Sequence, residues 1–88
     1  MNAARFLVSG RVQGVFFRAS TRQVALKLDL SGYAKNLPDG RVEVLAVGEP
    51  ERIAELERWL AHGPPLCKVD SLRREDVVAE PSDGFATL

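Results

Sequence analysis

The chain has 88 residues, 45% of them apolar, with 12 basic and 12 acidic side chains and no net charge. That is room for one domain, residues 1–88, around a modest core, and the charge is too even for a general nucleic-acid binder. No apolar run nears the length needed to cross a bilayer, and the single cysteine, Cys67, precludes an internal disulfide framework. A lone thiol in an otherwise ordinary chain suits a reducing cytoplasm. No basic, then apolar, then small-residue leader precedes the first strand, so a cytoplasmic location is expected.

A first strand is predicted from Arg5 to about Val12, with Phe6-Leu7-Val8 as its apolar run. It ends in Gly10-Arg11-Val12-Gln13-Gly14-Val15-Phe16-Phe17-Arg18, a glycine-containing turn that opens a helix. The helix runs from Phe17 to Leu28, with Phe17, Thr21, Val24, Ala25 and Leu28 on one face. Gly32 to Leu37 reads as a second strand and Arg41 to Val47 as a third, joined in a hairpin by Pro38-Asp39-Gly40. Leu45 and Val47 leave the second face of that third strand apolar. Glu49-Pro50 starts a second helix, with Ile53, Leu56, Trp59 and Leu60 as its buried stripe and Gly63-Pro64-Pro65 as its stop. A fourth strand follows from Leu66 to about Arg74, and its slipped alternation predicts a bulge near Ser71. Glu75 to Glu80 either extends that strand or loops out. Pro81-Ser82-Asp83-Gly84 then turns the chain into a short last strand, Phe85 to Leu88.

Strand, helix, strand, strand, helix, strand, plus a short terminal strand is the order of an α+β, ferredoxin-like sandwich. Its mixed, largely antiparallel sheet carries both helices on one face. Two strands joined through a helix run parallel, so the first and second strands end at the same edge of the sheet. The glycine turn leaves one of those ends, and Asn36 lies near the other. The topology therefore brings Asn36 toward Arg18.

The turn has the makings of an anion site. The first N–H groups of a helix lack partners within it and sit at the positive end of its dipole. Arg18 lies in the first turn, where a cation opposes the dipole by about 0.3–1 kcal/mol; a bound anion would neutralise both. Charge is also segregated. Through Val42 there are seven Lys/Arg against two Asp, and from Glu43 onward five basic residues against ten acidic ones, so the turn lies in the positive half.

No histidine base, acidic pair or metal-ligand spacing accompanies this turn. Cys67 reads as structural filler and Trp59 as core. An anion cradle, one Arg and one neutral amide can still cleave a phosphoryl bond if the leaving group departs unprotonated. An acyl phosphate meets that condition, because its carboxylate has a conjugate-acid pKa of roughly 4; a phosphate ester would need an acid or a metal. Arg18 and the amides of Gln13, Gly14, Val15, Phe16 and Phe17 could bind the phosphoryl oxygens, while the Asn36 carboxamide holds a water in line.

The stretch Gly10-Arg-Val-Gln-Gly-Val-Phe-Phe-Arg18, followed by Gly32-Tyr-Ala-Lys-Asn36-Leu-Pro-Asp-Gly40-Arg-Val42, closely resembles the acylphosphatase family. Both motifs occur in order and at the family's spacing, and the likeness extends through the second helix and the Gly-Pro-Pro turn. It implies a ferredoxin-like sandwich that hydrolyses acyl phosphates, with phosphate on Arg18, the attacking water on Asn36, and no metal or cofactor. A small-molecule acyl phosphate is then the expected partner, with inorganic phosphate or sulfate as a product-like ligand. A monomer is expected, without nucleic-acid or membrane partners. The end of the chain departs from the family pattern: Phe85 fits, but Ala86-Thr87-Leu88 is a thin version of the usual aromatic and aliphatic strand. The alternative reading is a non-catalytic anion-binding module of the same fold. An acylphosphatase-like domain of a larger carbamoyl-transferring protein is disfavoured, since the chain has neither zinc motifs nor a second domain.

Overall fold

A computed structural model describes residues 2–14 and 16–88. The elements are β1 Asn2–Arg11, α1 Phe17–Lys27, β2 Ser31–Asn36, β3 Val42–Val47, α2 Pro50–Leu60, β4 Lys68–Val78 and β5 Phe85–Thr87. The five strands form one sheet in the order β4-β1-β3-β2-β5. β5 runs parallel to β2, and the other neighbours are antiparallel. This is the ferredoxin-like sandwich that the element order predicts.

Period-two alternation sets the inner face. Ala4, Phe6 and Val8 of β1 point inward and stand opposite Ala46, Val44 and Val42 of β3. Both helices cover that face, through Phe17, Thr21 and Ala25 of α1 and Ile53, Leu56 and Leu60 of α2. All of these side chains are buried, and the apolar ones form one cluster with Phe85 of the last strand. The buried Thr21 hydroxyl donates to the Phe17 carbonyl at 2.8 Å, so its polar atom is satisfied within the helix. Trp59 packs tilted on Phe17, ring centroids 6.0 Å apart, as a core aromatic.

Several boundaries differ from the sequence reading, most of them by one residue. β1 begins at Asn2, not Arg5, because Ala3 and Ala4 pair with Val47 and Ala46 on one side and with Val77 and Asp76 on the other. Of the two readings left open after Arg74, extension is the one observed: β4 continues to Val78, since the lengthened β1 offers it a ladder. β1 also stops at Arg11, one residue short of Val12. The expected bulge is present: Ser9 pairs with Ser71 but Gly10 with Val69, which leaves Asp70 as the extra residue. Gly10 serves this irregularity. Its φ is 126°, and a Cβ there would fall 2.1 Å from the Lys68 carbonyl oxygen.

The open face of the sheet carries Leu45 between Arg5 and Tyr33. The Tyr33 hydroxyl donates to the Glu43 carboxylate. Burial, and then this bond to an anion, push the phenol up to about 12.

Tyr33 is the only tyrosine, so ultraviolet absorbance should show a single phenolate step near pH 12. An ordinary tyrosine would step near 10. The sign follows from linkage: the stability that this bond contributes is present below pH 10 and lost as pH rises through about 12. Gly10→Ala should lower unfolding free energy by about 2–3 kcal/mol in a denaturant titration, because both the contact and the backbone angle oppose a side chain.

Candidate active site

Val8 of β1 and Asn36 of β2 both stand opposite Val42, so the two parallel strands end together at one edge of the sheet. The connection from β1 to α1 leaves from this edge. Gly14 and Phe16 are both left-handed there, with φ of 74° and 62°. Phe16 is the N-cap and offers no side-chain acceptor, and the first turn of α1 contains no acidic residue. The usual means of satisfying a helix N-terminus are therefore missing. The main-chain N–H groups of Gly14, Phe16, Phe17 and Arg18 meet no acceptor among the described residues. Val15, expected in the same cradle, lies outside the described residues.

Arg18 is half-buried, and its Nη1 donates to the main-chain oxygen of Leu88 at 2.7 Å. The main-chain N–H of Asn36 donates to that same oxygen at 3.1 Å. Leu88 is held in turn by its own N–H on the Ala34 carbonyl, at 2.7 Å. The structure thus joins Arg18 and Asn36 through one shared acceptor. The Asn36 side-chain oxygen, Oδ1, is buried without a hydrogen-bond partner.

The Gln13 side chain has a part that the sequence reading did not assign. Its Nε2 donates to two hairpin carbonyls, Leu37 at 2.8 Å and Arg41 at 2.9 Å. The side chain is therefore a strap from the loop to the turn beside Asn36, which leaves only its main chain for the cradle. The hairpin is prepared for this. Leu37 N–H bonds the Arg41 carbonyl at 2.8 Å, and Asp39 accepts from the Arg41 main chain at 3.1 Å and from its Nε at 2.8 Å. The first of these Arg41 bonds to Asp39 is the main reason its carboxyl lies below the usual carboxylate range. Phe17, also expected in the cradle, has its ring in the core, which leaves only its main chain for that part.

A cleft of about 290 Å³ opens at the loop, lined by Val12, Gly14, Phe16, Phe17, Arg18, Ala19 and Thr87. Thr87 and Leu88 were not singled out as site residues from sequence. Thr87 lines the cleft and Leu88 enters the cluster through its main-chain oxygen, so their residue types carry no signal. Cys67 packs against the core, and burial pushes its thiol up, as befits a structural cysteine. No group of three or more His, Cys, Asp or Glu side chains among the described residues could hold a metal ion. No helix among them is long and apolar enough to cross a membrane.

The acylphosphatase family model matches residues 4–87. An acylphosphatase of Alkalilimnicola ehrlichii is 54% identical over 84 residues, spanning 96% of this chain and 94% of that protein. Two solved structures superpose closely. An acylphosphatase from Coxiella burnetii has a TM-score of 0.94 at 42% identity, covering 99% of this chain and 92% of that one. An acylphosphatase from Bacillus subtilis has a TM-score of 0.95 at 35% identity, covering 100% of this chain and 99% of that one. Sequence and fold agree over nearly the whole length, and the chain belongs to the acylphosphatase family, hydrolases that split the carboxyl–phosphate bond of acyl phosphates.

Proposed function

We propose that the cleft at the β1–α1 loop is where this hydrolysis occurs, with Arg18 and the loop amides gripping the phosphoryl group and Asn36 aligning the attacking water. The observation that carries the reading is the shared oxygen of Leu88, which draws the Arg18 guanidinium and the Asn36 main chain to one point. Arg18 uses Nη1 on that oxygen, and its other donors remain available for a phosphoryl oxygen. The open N–H groups of Gly14, Phe16, Phe17 and Arg18 take the remaining oxygens. Here the helix dipole favours the incoming negative charge.

The buried Oδ1 of Asn36 supports the second role. An orphaned acceptor costs about 1–3 kcal/mol, and a water O–H would satisfy it. That water attacks phosphorus on the side away from the acyl oxygen. The phosphorus–acyl oxygen bond breaks, its electron pair leaves on the carboxylate, and the water protons pass to phosphate oxygens. Carboxylate and inorganic phosphate are the products. The leaving carboxylate needs no proton near neutral pH, so the step demands charge stabilisation and alignment, which the cradle and Asn36 supply. The same reading takes inorganic phosphate or sulfate as a product-like ligand, and a cytoplasmic monomer that works without metal, nucleic acid or membrane.

Steady-state kinetics on a simple acyl phosphate test the assignment. Arg18→Lys should lower kcat/KM by about 10²–10³-fold and weaken competitive inhibition by phosphate. Asn36→Ala should lower kcat by a similar factor, keep phosphate inhibition, and cost no thermal stability, because it deletes an unsatisfied buried atom. If both variants turn over near the wild-type rate, the site lies elsewhere. Gln13→Met keeps the side-chain volume and removes both strap bonds. It should cut kcat by up to about 10²-fold with far less change in phosphate inhibition, as expected when the two halves of a site lose alignment.

A further inference from the structure

Phe16 stands apart from the other phenylalanines. Phe6, Phe17 and Phe85 are at most 4% exposed, whereas Phe16 is 78% exposed. Its backbone is left-handed, at φ 62° and ψ 20°, a conformation that bulky side chains avoid and that glycine or asparagine would take more readily. Non-glycine residues held in the left-handed region cluster at active sites and ligand clamps. Packing does not explain the residue, because the adjacent Phe17 already fills the core against Trp59.

Phe16 lines the same cleft as Arg18. Among the described residues that line it, Arg18 is the only charged one, and exposed Ala19 adds apolar surface to that of the Phe16 ring. An acyl phosphate held by its phosphoryl end must extend its acyl group out of the anion cradle toward the cleft walls and mouth. We propose that Phe16 contacts that acyl group and sets the substrate class, favouring acyl phosphates with aromatic or extended apolar acyl groups over acetyl phosphate. The inference rests on the cleft being the hydrolytic site. An offset or edge-to-face contact with an aromatic acyl group would recover surface that the free protein leaves exposed to water.

The test is the ratio of kcat/KM for benzoyl phosphate to that for acetyl phosphate in the wild type, Phe16→Leu and Phe16→Gly. Any damage to the loop amides falls on both substrates and cancels in this ratio. Glycine also tolerates the left-handed backbone, so Phe16→Gly removes the ring without opposing the turn. The ratio should fall about 10-fold in Phe16→Gly, chiefly through KM for benzoyl phosphate, and by less in Phe16→Leu. A ratio unchanged within about twofold in both variants would overturn the assignment of Phe16 while leaving the hydrolytic site intact. Failure of the wild-type protein to hydrolyse either substrate would overturn the site itself, and this inference with it.

Discussion

One main-chain oxygen organises the functional end of this molecule. The Leu88 main-chain oxygen accepts from the Arg18 guanidinium at 2.7 Å and from the Asn36 N–H at 3.1 Å. Without that acceptor, a long flexible arginine would hold its head group in water, free of any fixed relation to β2. With it, a cation from a helix and an amide from a strand share one reference point. The Gln13 strap repeats the device on the far side of the loop, bonding two carbonyls of the hairpin that follows Asn36. Three separated segments, the β1–α1 loop, the β2–β3 hairpin and the last strand, are thereby fixed to one another by main-chain acceptors.

The same end of the molecule is poor in the features that stabilise proteins. α1 starts without a side-chain cap and without an acid, but with an arginine that its dipole disfavours. Phe16 is left-handed, and Asn36 keeps an unpaired oxygen underground. Each feature costs free energy, and on the proposed reading all but the Phe16 backbone are relieved by one part of a hydrated phosphoryl group: anionic oxygens for the N–H groups and Arg18, a water proton for Asn36. The rest of the fold offsets the cost through a core closed by α1, α2 and the inner face of the sheet, with Phe6, Phe17, Ile53 and Leu56 virtually inaccessible.

Most of the architecture was legible in the sequence because it follows from side-chain type. Period-two runs marked the strands, the 3.6-residue stripe marked both helices, and Pro38-Asp39-Gly40 marked the hairpin. The slipped alternation beside Ser71 located the bulge. Topology alone then carried Asn36 to the edge where Arg18 emerges. What was illegible works through the backbone. Asn2 to Ala4 have no strand pattern of their own and become strand because two neighbours offer them a ladder. Leu88 could be almost any residue and still present its oxygen. Gln13 drew attention by its place in a loop motif, yet nothing in that motif says that its carboxamide faces the hairpin, not the anion.

The central claim is that the loop amides, Arg18 and Asn36 grip one phosphoryl group together. Nuclear magnetic resonance of the protein titrated with inorganic phosphate reads this directly, group by group. The main-chain amides of Gly14, Phe16, Phe17 and Arg18, the Arg18 guanidinium and the Asn36 side chain should all shift along one saturation curve. Phosphate that saturates while these signals stay still, or that shifts groups at the opposite end of the sheet, would contradict the account.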